Sequence, residues 1–178
     1  DFVRIGTCGI LEDSIPIGSY LLSSAAVGID NVGHFYELSE NKSVNAILAS
    51  ITKALPLPEK VIPYMVTASK DLNKRFKKDD VFEGITVTSS GFYGPQGRAL
   101  RLPIKTTELI NALHNFEFEG QGFQNLEMEC SALFALSQAL GHQSTAICLG
   151  LANRRLGTFA EDYAKKMDDL ILHVLENI

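Results

Sequence analysis

Three short segments hold side chains whose types and spacing could do chemistry. In Arg4-Ile5-Gly6-Thr7-Cys8-Gly9 an arginine lies inside an apolar, strand-like stretch and is followed by a Gly-Thr-x-Gly turn. A charge in such a place needs an anionic partner, because leaving it unpaired is very costly. The partner is either an acidic residue on a neighbouring strand or a bound anion. Small residues at the strand end favour the anion, since they let backbone N–H groups approach it closely. In Phe92-Tyr93-Gly94-Pro95-Gln96-Gly97-Arg98, Gln96 offers an acceptor and two donors, Arg98 offers donors only, and Phe92 offers a flat apolar face. Together they match a planar amide-like ring such as uracil, in which carbonyl acceptors flank an N–H; the alternative is an ordinary Gly/Pro turn. In Asn125-Leu126-Glu127-Met128-Glu129 the two glutamates share one face if the chain is extended, roughly 6.5–7 Å apart. That separation suits an inverting glycosidase, and the alternative is a glutamate that favours the N-terminus of the following helix. Asn153-Arg154-Arg155 adds polar groups at the end of an apolar strand, where α/β sheets usually bind ligands.

Other chemistries are excluded by what the chain lacks. It contains no G-x-G-x-x-G, no G-x-x-x-x-G-K-[ST] and no H-E-x-x-H, and neither Ser23-Ser24 nor Ser89-Ser90 sits in a G-x-S-x-G elbow. His34, His114, His142 and His173 are scattered without metal-ligand spacing, so no metal is expected. Cys8, Cys130 and Cys148 form an odd set without C-x-x-C spacing and read as buried free thiols. Sixteen Lys and Arg against twenty-one Asp and Glu give a net charge of −5, so nothing global argues for a nucleic-acid or anionic-membrane partner. No apolar run approaches the roughly 20 residues of a bilayer span, and Asp1-Phe2-Val3-Arg4 lacks the features of a secretory signal; a cytoplasmic location is the default expectation.

The elements that must position these groups follow from periodicity. A chain of 178 residues, 46% of them hydrophobic, is expected to form one domain over 1–178. Strands are expected at Phe2–Ile5, Ser19–Ala25, Val61–Ala68 and Ile85–Ser89. Val44, Ile47, Leu48, Ile51 and Leu55 have helical spacing, ended by Pro56 and Pro58. Lys70–Lys78 reads as a solvated turn or short helix, and Gly91–Arg98 as a loop. Helices are expected over Thr107–Phe116 and Cys130–Leu140, the latter closed by Gly141. The nearly continuous apolar run Ser144–Ala152 suits a strand buried on both faces. Thr158-Phe159-Ala160-Glu161 has the capping-box pattern of a last helix, with Tyr163, Met167, Leu170, Ile171, Val174 and Ile178 on a core-facing stripe. The sum is an α/β fold, a mixed central sheet with helices on both faces.

Taken in order, Arg4-x-Gly6-Thr7-x-Gly9, Phe92-Tyr93-x-Pro95-Gln96-Gly97-Arg98, Glu127-Met128-Glu129 and Asn153-Arg154 resemble the nucleoside phosphorylase family, and within it the uridine phosphorylases. The resemblance covers nearly the whole chain. It implies phosphorolysis of uridine to uracil and ribose 1-phosphate in pyrimidine salvage, with inorganic phosphate as co-substrate, no organic cofactor and no nucleophilic side chain. It implies that Arg4 and Thr7 hold phosphate, and that Glu129 accepts hydrogen bonds from the ribose hydroxyls. Met128 then packs on the sugar, Thr7 touches the ribose, and Glu127 is mainly architectural. Gln96, Arg98 and Arg154 would read the pyrimidine edge, with Phe92 and Gly9 along its face; Arg4, Arg98 and Glu129 would carry catalysis. Purine-specific relatives place an aspartate where this chain reads Asn153-Arg154, which favours uracil. The remaining alternatives are a purine nucleoside phosphorylase, a nucleosidase of the same superfamily and a non-catalytic nucleoside-binding fragment. The family's N-terminal portion, with part of the phosphate site, is absent from this chain. Cys8 stands where relatives often carry threonine, and a homo-oligomer of at least two chains is implied.

Overall fold

The computed structural model describes residues 1–38 and 41–178. The chain runs β1 (Phe2–Ile10), β2 (Tyr20–Gly28), α1 (Asn45–Ala54), β3 (Tyr64–Thr67), α2 (Lys70–Phe76), β4 (Val81–Thr88), α3 (Leu109–Asn115), β5 (Glu117–Phe118), β6 (Gln121–Glu127), α4 (Cys130–Ala139), β7 (Ser144–Asn153), β8 (Thr158–Phe159) and α5 (Tyr163–Glu176). The sheet is mixed, in the order β3-β2-β4-β6-β1-β7-β8. β1 runs parallel to β7 and antiparallel to β6, while β4 is parallel to both β2 and β6.

A further pairing changes the shape of this sheet. β2 also pairs antiparallel with β7 through Tyr20↔Leu149, Leu21↔Cys148 and Leu22↔Ile147, so β2, β4, β6, β1 and β7 close into a ring. The closing strands fit because Gly150 lacks a Cβ, which would lie 2.6 Å from Ile10 Cδ1. Three apolar clusters then seat the helices. α1 and α3 pack through Ile47, Ile51, Leu109 and Leu113 on Val87 and Leu126. α2 and α5 pack through Leu72, Phe76, Leu170 and Val174 on Ile147 and Leu149, and α4 packs through Phe134 and Ala135 on Ala26 and Ala146. No helix of the described residues is long and apolar enough to cross a membrane.

Several expected elements need correction. Gly6-Thr7-Cys8-Gly9 is not a turn: β1 continues to Ile10 with a bulge at Cys8/Gly9, and pairing with β7 absorbs its backbone. Val61–Pro63 lies outside β3, consistent with the missing N–H of Pro63. The basic 70–78 stretch is helical and not merely solvated, since α2 buries Leu72, Asn73 and Phe76. Thr158 caps no helix. Thr158–Phe159 instead pairs with Ala152–Asn153, and α5 starts at Tyr163. Leu170 and Val174 of its stripe are buried, whereas Tyr163, Ile171 and Ile178 are exposed. Gly141 does take the left-handed conformation after α4, with φ of 73°.

Candidate functional site

The arginine of β1 is the centre of the site. Its side chain folds back along its own strand over Gly6, where a Cβ would lie 2.6 Å from Arg4 Nη1. Both proposed partners of this charge need the guanidinium, and the structure supplies acidic ones. Nη1 donates to Cys148 Sγ at 3.0 Å and lies 3.5 Å from Glu127 Oε2, while Nη2 donates to Glu129 Oε2. Burial opposes the charge on Arg4, but Cys148, Cys130, Glu127 and Glu129 together raise its pKa above the ordinary arginine value. The neighbouring thiols of Cys130 and Cys8, with the Arg4 guanidinium, hold Cys148 well below the usual cysteine range against its burial. All three cysteines are free and buried, as expected, but nothing in their spacing signals that they gather near Arg4.

The two glutamates do not lie on one extended strand. β6 ends at Glu127, and the backbone turns at Glu129 (φ −138°, ψ −24°) into α4. Glu127 points inward, with only 1% of its side chain exposed. It accepts from Thr88 Oγ1 at 2.5 Å, from the Glu129 N–H at 2.8 Å and from the Cys130 N–H at 3.0 Å. It therefore caps the first turn of α4, the alternative that the helix N-terminus offered. Burial pushes the Glu127 carboxyl above its usual range, while the hydrogen bonds from Thr88 and the Glu129 N–H, and the Arg4 charge, pull it back. Glu129 is the exposed member, with 52% of its side chain open.

At the other end stands the 92–98 loop, a single turn of 3-10 helix over Gly94–Gln96 closed by Gly97 at φ 71°. Only a glycine takes that conformation without strain. Arg98 lies over Phe92, its Cζ 3.7 Å from the ring centroid, and donates to Phe92 O at 2.5 Å and to Gln96 Oε1. Gln96 is buried; its Oε1 accepts one hydrogen bond from Arg98, and its Nε2 has no hydrogen-bond partner among the described residues. The Gln96 carbonyl keeps a second lone pair, so the side chain still offers a ring both an acceptor and donors. Arg154, just beyond β7, donates from Nη1 to Gln96 O. Burial, and then Arg154, lower the Arg98 pKa, and burial lowers that of Arg154. Neither arginine forms a salt bridge among the described residues.

One cavity of about 530 Å³ joins these groups. Arg4, Thr7, Gly9, Phe92, Gln96, Arg98, Met128, Glu129 and Arg154 all line it, as do Cys8 and Glu127. Its far wall is built from Leu151, Phe159, Ala160 and Tyr163, which sequence reasoning missed. The available signal was position: aromatic residues shortly after the strand end that carries Arg154. The described residues contain no cluster of His, Cys, Asp or Glu arranged to hold a metal ion.

The chain belongs to the phosphorylase superfamily, whose family model matches residues 1–176. Among its relatives it is 28% identical over 153 residues to a uridine phosphorylase of Haemophilus influenzae, covering 86% of this chain and 54% of that protein. It is 26% identical over 163 residues to a uridine phosphorylase of Thermococcus kodakarensis, covering 90% and 51%. The chain thus spans about half the length of the curated relatives it matches. Its fold superposes on a Trypanosoma brucei nucleoside phosphorylase, described as showing uridine phosphorylase activity, with a TM-score of 0.84 at 25% identity, covering 99% of this chain and 63% of that one. A Toxoplasma gondii purine nucleoside phosphorylase shares the fold, with a TM-score of 0.59 at 19% identity, covering 97% and 60%.

Proposed function

We propose that this cavity serves the phosphorolysis of uridine: a phosphate oxygen bonds to C1′ of the ribose, the C1′–N1 bond breaks, and its electron pair leaves with uracil. The observation that carries this reading is the segregation of charge along the cavity. At one end Arg98 and Arg154 form no salt bridge among the described residues and stand with the Gln96 amide; at the other Arg4 and Glu129 pair with one another. Donors held where negative charge develops on the departing base lower the barrier, since they need no reorganisation as the bond lengthens. In this reading Gln96, Arg98 and Arg154 bind the base edge, and Phe92 and Gly9 line its face. Glu129 accepts the ribose hydroxyls with Met128 against the sugar, and Arg4 and Thr7 hold the attacking phosphate. The two curated uridine phosphorylases and the activity described for the Trypanosoma protein support uridine over a purine nucleoside. The reading includes a homo-oligomer and takes phosphate as co-substrate, with no organic cofactor. It is tested by following uracil release from uridine with and without phosphate, with inosine as control. Phosphate-dependent release is expected; release from inosine alone would overturn the base assignment, and release indifferent to phosphate would make the protein a nucleosidase.

A further inference from the structure

Arg4 is held unequally along its two edges. The Nη1 edge is anchored deep in the protein, by Cys148 Sγ at 3.0 Å and by Glu127, which is itself fixed by Thr88 Oγ1 and two backbone N–H groups. The Nη2 edge faces the cavity and is occupied by Glu129, the half-exposed carboxylate, through one oxygen only. The other oxygen, Oε1, accepts no hydrogen bond among the described residues. The edge of Arg4 that phosphate needs is therefore the edge that Glu129 covers. A phosphate dianion brought there meets a carboxylate of like charge within the same few ångströms, and Glu127 adds a second acidic group behind it.

We propose that Glu129 is a latch on Arg4, and that the vicinal hydroxyls of a nucleoside release it. The inference rests on the reading of Glu129 as ribose acceptor and Arg4 as phosphate holder. Two hydroxyl donors draw the Glu129 carboxylate toward the sugar and weaken its hold on Nη2, and phosphate then takes the vacated edge. Nucleoside and phosphate consequently bind with positive coupling, and by linkage each raises the affinity of the other by the same factor. Glu129 thus opposes phosphate in the free protein and favours it once a ribose is present. The cost of the latch is weak phosphate binding alone. Its effect is that the nucleophile is captured mainly when a sugar is in place to be attacked.

The test is calorimetric titration of the full chain with inorganic phosphate, for the wild type and Glu129→Gln, with and without saturating pseudouridine. Pseudouridine keeps the ribose hydroxyls but joins its base by a carbon–carbon bond that phosphorolysis does not cleave. Wild-type affinity for phosphate should rise at least about fivefold with pseudouridine, at the lower end of typical coupling. Glu129→Gln alone should bind phosphate about fivefold or more tighter than the free wild type, and pseudouridine should change it little. Arg4→Ala should erase the difference between the two proteins. Unchanged or weaker binding by Glu129→Gln would overturn the latch and make Glu129 a support for Arg4, as would the absence of phosphate binding in every protein. Uracil release is scored separately. Activity with no gain in Glu129→Gln overturns the latch alone, whereas the gain without uracil release upholds the latch and overturns uridine as substrate.

Discussion

The main-chain oxygen of Gln96 accepts a hydrogen bond from Arg154 Nη1, which ties the 92–98 loop to the end of β7 across 58 residues of sequence. A charge-assisted bond of this kind contributes about 1.5–3 kcal/mol. Arg154→Ala should therefore lower kcat/KM for uridine by roughly 10- to 100-fold. Steady-state kinetics with Arg154→Lys should show partial recovery, because lysine restores the charge but not the planar fork.

Arg98 performs two tasks, stacking on Phe92 and holding Gln96 Oε1. Its removal takes away a base-directed donor and frees Gln96 to rotate, so Arg98→Ala should cost about 10²–10³ in kcat, the loss typical of a deleted transition-state donor. Near-wild-type rates would end the assignment of this loop to the base.

Gly6 separates activity from stability. A Cβ there lies 2.6 Å from Arg4 Nη1 and 2.9 Å from Nη2, but these atoms end a long side chain that can swing away. Gly6→Ala should leave the urea midpoint close to wild type while phosphate-dependent turnover falls about tenfold or more. Equal loss of both would show that Arg4 cannot move.

Glu127 is the opposite case. Replacing it with alanine takes the acceptor from the Thr88 hydroxyl and from two N–H groups of the α4 entry, and removes an acidic neighbour of Arg4. Glu127→Ala should destabilise the fold by about 3–5 kcal/mol in urea unfolding, and Glu127→Gln by less, since the amide still accepts hydrogen bonds.

His114 sets a pH dependence. Its Nδ1 contacts Leu11 O at 2.6 Å, its Nε2 is buried without a partner among the described residues, and burial lowers its pKa from the ordinary 6.5. Below pH 6.5 the unfolded chain binds a proton that the folded protein resists, so stability falls as pH drops through the window beneath 6.5. Thermal melts between pH 5 and 7 should show this slope, and His114→Gln should flatten it.

Where the chemistry depends on residue type it was readable in the sequence. A strand arginine, a Gly/Pro loop carrying Gln96 and Arg98, and the Glu127–Glu129 segment each announce a need for particular partners, and one cavity brings them together. β7 was equally plain, because an unbroken apolar run has few other places to go. The failures at Thr158 and at Cys148 share a cause: each turns on a pairing between distant segments. Thr158 and Glu161 satisfy the local pattern of a helix start, yet the ladder with Ala152 and Asn153 claims Thr158–Phe159 first. Nothing near Cys148 in sequence predicts Arg4 as its partner, since that contact follows from the registers of β1, β2 and β7.

The pairing of β2 with β7 turns the sheet into a hoop of five staves. Arg4, Glu127, Thr88 and Cys148 ride on four of them, β1, β6, β4 and β7. In an open sheet one strand can slide and disturb a single neighbour; in a hoop every stave is wedged between two others, and a slip must travel round the whole circumference before it closes. The spacing of the four groups is thereby a property of the circle rather than of any one loop, which leaves the short exposed reach of Glu129 as the place where the site can give.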